Sequence, residues 1–191
     1  MKKILMLASL LALTLVGVAI AASGTATTGD DNIKGTDAND VINALAGNDK
    51  VSGRDGNDIL DGDLGNDRVK GDAGDDEVKG GEGDDRLKGG KGDDKLDGDA
   101  GDDRLKGGRG ADQLNGGDGA DRINAKGGGR KSGPDTVNCG AGDGDVDRVR
   151  ADRNDTITGC GPEDEVKQKG RRQGDDTPQC KGKSKRHARR V

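Results

Sequence analysis

The chain of 191 residues contains no Phe, Trp or Tyr, a single His and three Cys. Without aromatics it cannot build an ordinary globular core, and it has no ring on which a nucleic-acid base could stack. One histidine and three scattered cysteines rule out a conventional zinc site. His187 alone sits in a basic tail as plain polar surface, the serines have no His partner to activate them, and a catalytic triad is not expected. Thirty-seven glycines exclude extensive helix. A composition with 36% charged residues and 28% hydrophobic ones, taken without regard to order, is that of a disordered chain.

The order of the residues points the other way. Eleven aspartates fall in one nine-residue register: Asp31, Asp40, Asp49, Asp58, Asp67, Asp76, Asp85, Asp94, Asp103, Asp112 and Asp121. Two residues after each stands an aliphatic, from Ile33 to Ile123. Glycine stands two before each, except at Ala38, and five before, except at Ala26 and Ala44. A fixed short period marks a solenoid, in which each repeat buries its apolar residue only by stacking on its neighbours. Each repeat reads as a six-residue glycine-rich turn followed by a three-residue strand whose central aliphatic points inward. One aliphatic per nine residues is too thin a core to offset the entropy of ordering the chain, so a further interaction has to hold the coils together.

The ends differ from the middle. Residues 1–21, with Lys2 and Lys3 before an apolar run from Ile4 to Ala22, are similar to a secretory signal peptide with Ala19-Ile20-Ala21 as the cleavage site. An uncleaved N-terminal anchor is the alternative; cleavage leaves no stable membrane span, and in either case the repeats lie outside the cytoplasm. Residues 22–28 form a linker and 29–124 hold the strict register, its first copies degenerate as terminal repeats commonly are. The register breaks after Asn124. D-x-U units then resume at Asp135, Asp147 and Asp155, flanked by Cys139 and Cys160, and residues 125–162 are expected to cap an otherwise open sheet edge. Cys139 and Cys160 are expected to pair as a disulfide, which secretion permits and a small core favours, with two free thiols as the alternative. Cys180 is left over; pairing between chains, competition for Cys160 and a free thiol all stay open. Residues 163–191 are expected to be a disordered basic tail.

Charge divides along the same boundaries. From Asp30 to Val166 there are 20 Lys/Arg against 35 Asp/Glu, a net of −15, whereas Lys167 to Val191 has 10 against 2, a net of +8. The acidic body seeks cations. Glycine-rich turns that place carboxylates beside backbone carbonyls suit calcium, which takes six to eight oxygens in tolerant geometry, whereas magnesium demands a tighter octahedron. Asp143, Asp145 and Asp147 imitate the start of an EF-hand, but Arg148 stands where its glycine belongs and Asn154 where its closing acid belongs. Gly182-Lys183-Ser184 lacks the upstream glycine of a phosphate loop.

The period G-x-x-G-x-D-x-U-x, best seen in Gly80-Gly81-Glu82-Gly83-Asp84-Asp85-Arg86-Leu87-Lys88, resembles the calcium-binding nonapeptide of the repeats-in-toxin, or haemolysin-type, family. The resemblance covers about half the chain. It implies an all-β fold, a right-handed parallel β-roll with two repeats per coil. It also implies Ca2+ held between the turns of repeats n and n+2, by pairs running from Asp31 with Asp49 to Asp103 with Asp121. The Cys-containing end looks like that of secreted actinobacterial members. No toxin, protease or lipase domain accompanies the repeats, so the resemblance carries the metal-binding fold and no enzyme activity. Calcium ions are thus the expected partner. An anionic cell-surface polymer held by the basic tail would make the protein a calcium-cemented adhesion or matrix protein; specific nucleic-acid recognition is not expected.

Overall fold

A computed structural model describes residues 26–127, 133–140 and 145–169. The signal segment, residues 22–25 of the linker, part of the inserted loop, part of the cap and residues 170–191 lie outside the described residues, as does Cys180.

Fifteen short strands and no helix make up the described residues. Odd strands form one sheet: β1 (Asn32–Lys34), β3 (Lys50–Asp55), β5 (Arg68–Ala73), β7 (Arg86–Lys91), β9 (Arg104–Arg109), β11 (Arg122–Asn124), β13 (Arg148–Ala151) and β15 (Glu165–Gln168). Even strands form the other: β2 (Val41–Asn43), β4 (Ile59–Leu64), β6 (Glu77–Glu82), β8 (Lys95–Ala100), β10 (Gln113–Asn115), β12 (Thr136–Asn138) and β14 (Thr156–Thr158). Strands pair in parallel with the next strand of their own parity, so the chain coils through about seven turns and each coil holds two repeats. This is the parallel β-roll expected. No helix among the described residues is long and apolar enough to cross a membrane.

Parity of the side chains sets what lies inside. In a strand successive side chains alternate between faces, so each D-x-U-x-G stretch turns its aspartate, aliphatic and glycine inward and the two residues between them outward. The interior is therefore a column of Ile33, Val51, Val69, Leu87, Leu105, Ile123 and Val149 facing a column of Ile42, Leu60, Val78, Leu96, Leu114, Val137 and Ile157, all buried. A row of small residues flanks each column. Where glycine is replaced at this inward position the substitute stays small, as at Ala44, Ala125, Cys139 and Ala151, until Gln168 in the last strand.

The central strands are six residues long, against the three read from the sequence. Backbone pairing runs on past the inward glycine, as in Asp63 with Gly81 and Asp72 with Gly90, because the turn backbones of successive coils also stack in register.

The cap is a continuation of the roll. The register step is 18 residues in the strict repeats, then 23 from Leu114 to Val137, 26 from Ile123 to Val149, 20 from Val137 to Ile157 and 17 from Val149 to Val166. The inward aliphatics hold the register and extra residues are absorbed between strands. Cys139 and Cys160 form a disulfide within the last coils, Cα atoms 5.0 Å apart. Order also extends beyond Pro162, where the expected tail begins: Asp164-Glu165-Val166 is one more D-x-U unit, and β15 pairs with β13 through it.

A column one side chain wide has no lateral neighbours to relax into a hole. Leu96→Ala is expected to cost about 2–5 kcal/mol of stability, and Gln113→Ala, exposed on the next strand of the same sheet, to stay within about 0.5 kcal/mol. Thermal melts followed by far-UV circular dichroism compare the two, and equal melts would mean the column is not the core.

Candidate metal centre

The inward aspartates stack in two ladders, one along each edge where the sheets meet. The backbone N–H of each donates to Oδ1 of the aspartate one coil on. Asp31 donates to Asp49 (2.7 Å), Asp49 to Asp67 (2.7 Å), Asp67 to Asp85 (2.7 Å) and Asp85 to Asp103 (2.7 Å). The other edge runs from Asp40 to Asp58 (2.8 Å) and on through Asp76, Asp94 and Asp112. All eleven aspartates of the register thus stand in stacked turns, each expected pair one coil apart. The ladders do not end at Asp121. Asp112 donates to Asp135 and Asp135 to Asp155; Asp121 donates to Asp147 and Asp147 to Asp164. The sequence carries the signal for Asp164 in its D-x-U spacing, which the broken period obscures.

A second, exposed ladder precedes the first by one residue. Asn48 N–H donates to Asp30 Oδ1, Asn66 to Asn48, Asp84 to Asn66 and Asp102 to Asp84. Only Asp or Asn fills this position from Asp30 to Asp102, a regularity absent from the repeat formula. The two ladders satisfy amides that would otherwise be lost in the turns.

The carboxylates divide into two kinds by their second oxygen. In Asp31 and Asp40 Oδ2 accepts from the backbone N–H of Thr27 (2.7 Å) and Thr36 (2.6 Å) and from the threonine hydroxyls. In Asp164 it accepts from Gly161 N–H at 2.6 Å, and in Asp155 from Asp152 N–H. These end turns are closed by their own donors. In Asp49, Asp58, Asp67, Asp76, Asp85, Asp94, Asp103 and Asp112 the buried Oδ2 meets no hydrogen-bond donor. A buried carboxylate oxygen without a partner is costly, so its recurrence through the middle of the roll is a designed feature.

Turn conformation explains the division. In the turns of Asp49 to Asp121 the residue four before the aspartate has positive φ, even where it is Leu45 (78°), Arg54 (87°) or Asp72 (80°), and Thr27, Thr36, Ala151 and Cys160 do not share that conformation. Backbone oxygen also closes on the orphaned carboxylate. A methyl group at Gly80 would collide with both Asp85 Oδ2 and the Gly98 carbonyl oxygen. At Gly83 (φ 129°) it would strike the Gly65 carbonyl. Asp121 stands likewise, its Oδ2 against Gly116 beside the Cys139 carbonyl. Partnerless carboxylate oxygens beside backbone carbonyls, with no nitrogen or sulfur donor, fit a hard cation of calcium type. The disulfide sulfurs and Asp164 also lie together, but bonded sulfurs offer no thiolate to a metal.

Burial holds the central carboxyls well above the ordinary carboxylate range, opposed by the amide each accepts and aided by its stacked neighbours. Asp76 is pushed up to about 6, Asp85 and Asp94 to about 7 and Asp103 to about 8. Asp49, Asp58, Asp67 and Asp112 move in the same direction. Asp135, in the resumed repeats, reaches about 7.

The family model described as the RTX calcium-binding nonapeptide repeat (4 copies) matches residues 25–60, 35–69, 61–96, 70–105 and 97–129, which together span more than half of the chain. A comparison with curated proteins finds none that matches.

A carboxyl whose pKa is raised by folding stabilises the roll below its unfolded value near 4 and loses that contribution as pH rises through the folded values of about 6 to 8. In chelator, strand content by circular dichroism is therefore expected to be greater at pH 5 than at pH 8. With calcium the order reverses, because the ligands must be deprotonated. The same order in both conditions would remove the central aspartates from the site.

Proposed function

The chain belongs to the RTX calcium-binding nonapeptide-repeat family, and from that premise we propose that it is a secreted calcium-binding protein, without catalytic turnover, whose roll folds on binding calcium between stacked turns. The observation that carries the reading is the row of orphaned Oδ2 atoms from Asp49 to Asp112. At strand spacing, about 4.8 Å, ionised carboxylates in such a row repel one another and oppose stacking. Calcium, when bound, supplies the opposing charge and accepts the free oxygens. Since the ligands converge only when coils stack, binding free energy becomes folding free energy.

The ligand set follows from the second oxygen of each carboxylate. Asp49, Asp58, Asp67, Asp76, Asp85, Asp94, Asp103 and Asp112 offer Oδ2, while their Oδ1 atoms hold the ladder. Asp31 and Asp40 sit in turns closed by Thr27 and Thr36, and serve as an N-terminal end that stacks without metal. Site affinities are expected near those of extracellular calcium modules, ~0.1–1 mM. The lysine-led apolar segment before the repeats supports secretion, and millimolar calcium outside the cell would then trigger folding after export.

Far-UV circular dichroism during a calcium titration tests this, with magnesium as control. A cooperative gain of strand signal selective for calcium is expected, and a coil spectrum unmoved by calcium would sink the reading. Asp85→Asn is expected to raise the calcium midpoint several-fold, and Asp31→Asn to shift it less. If the two variants behave alike, the closed and open turns do not differ in metal binding.

A second reading, attachment to an anionic surface by the tail, is favoured by the net charge of +8 over residues 167–191. Deleting 170–191 leaves β15 whole and is expected to release the protein from the cell surface; unchanged retention would discard the tail as an anchor.

A further inference from the structure

The two outer faces of the roll differ in charge. On the odd-strand sheet the residues flanking the aliphatics stack in two in-register rows. One row reads Lys50, Arg68, Arg86, Arg104, Arg122, Arg148 and the other Ser52, Lys70, Lys88, Lys106, Asn124, Arg150. From β3 to β13 the rows contain ten cations, six in the first and four in the second, and no acid. On the even-strand sheet the same positions are mixed, and several pair with one another. Lys95 pairs with Glu77 at 2.9 Å, Asn115 donates to Asp97 and Asn138 to Asn115, while Val41 and Ile59 carry no charge.

Stacked like charges on adjacent strands are destabilising. Solubility does not require them, since it would be served equally by the mixture on the opposite face. Nor do they reflect a basic protein, for the chain is net −5. Among the described residues the ion pairs of this face gather at its C-terminal edge, Arg148 and Lys167 with Glu165 at 3.7 and 4.0 Å. Beside the rows a groove lined by Lys88, Lys91, Lys106, Arg109 and Lys126, with Asp55 and Asp72 toward one end, widens the cationic surface.

We propose that this face is a docking surface for a linear acidic polysaccharide, whose carboxylates lie along the two cation rows. The first row offers one cation per coil, a spacing of about 4.8 Å, and the second does so from Lys70 to Lys106. Duplex DNA carries one negative charge per ~1.7 Å of axis, far denser than the rows, and without aromatics the face has no base-stacking platform. A uronic-acid polymer, with one carboxylate on each sugar ring, is nearer in charge density. The arginines offer planar forks that hold carboxylates in two-point contact. Rows about two residues apart, roughly 6.6 Å, let one extended chain lie between them with its carboxylates directed to both sides. The inference rests on the calcium reading only in that the rows form once the coils stack. Linkage follows: a polyanion that relieves repulsion between stacked cations favours the folded roll and strengthens calcium binding.

The probe is an octamer of galacturonate, titrated calorimetrically into the full mature chain at saturating calcium, with circular dichroism recorded on the same samples. Binding that weakens steeply with added salt is expected. The fourfold variant Arg86→Gln, Lys88→Gln, Arg104→Gln, Lys106→Gln, all at outward positions, is expected to fold and to lose affinity at least about tenfold, a difference of about 1.4 kcal/mol. Lys79→Gln with Lys95→Gln on the opposite sheet is expected to bind as the parent does. The octamer is also expected to lower the calcium midpoint of the parent and leave that of the fourfold variant in place. A folded parent that does not bind overturns the proposal, as does equal loss in the control variant or tighter binding of a short DNA duplex. A chain that remains coil in calcium overturns the calcium reading first and this surface with it.

Discussion

Carboxylates stacked one coil apart inside a roll with almost no apolar mass are the constraint on which the rest of the structure depends. The repeat places an aspartate, an aliphatic and a glycine on the inner face of every strand, so the acid enters the interior by the same parity that buries the aliphatic. Backbone amides satisfy one oxygen of each acid, and that ladder ties coil to coil. The other oxygen, through the middle of the roll, faces backbone carbonyls and finds no donor. An arrangement that costs the apoprotein so much is reasonable only where a cation enters it, and the thin core supplies too little stabilisation to hold the stack by itself. On the calcium reading proposed above, fold and ligand are one problem in this chain.

The same constraint explains why the ends differ from the centre. A terminal coil lacks a neighbour on one side and cannot complete a site that spans two coils. Thr27 and Thr36 supply donors to the first carboxylate of each ladder, and Gly161 and Asp152 do so for the last. The degenerate first repeats are thus an alternative turn chemistry, in which hydroxyl and amide donors meet the carboxylate oxygen that the middle turns leave without one. The disulfide between Cys139 and Cys160 belongs to the same logic, since it holds the final coils where the register is irregular and the open carboxylates have run out.

Much of this is legible in the sequence, for a physical reason. A solenoid has nearly the same environment at every repeat, so a period in the sequence is a period in space, and the eleven aspartates and their aliphatics read directly onto the two columns. Legibility fails where period and environment part. The Gly/Lys/Arg insertion after Asn124 hides the continued ladder through Asp135 and Asp147, because register is held by contacts between coils and not by spacing along the chain. Asp164 and β15 are hidden for the same reason, and by spacing alone their residues pass for tail. Nor can composition distinguish Asp31 from Asp85. Both have the glycine two before and the aliphatic two after, and the difference lies in the turn conformation, with Thr27 four before in one and Gly81 in the other.

The alternation of repeats carries a second pattern that a nine-residue period conceals. Two repeats make a coil, so the true period is eighteen, and the outward positions of odd and even repeats fall on different faces. Odd repeats place Arg and Lys there, as in Arg68, Lys70, Arg86 and Lys88, while even repeats place Glu77, Lys79, Lys95 and Asp97. The roll thus holds an inner stack of anions at its edges and an outer stack of cations on one face, each repelling itself across the same strand spacing. Neutralising either stack favours the same coil-on-coil contact. A ligand for one would then strengthen binding of the other without touching it, because the folded roll is the only state in which either stack exists.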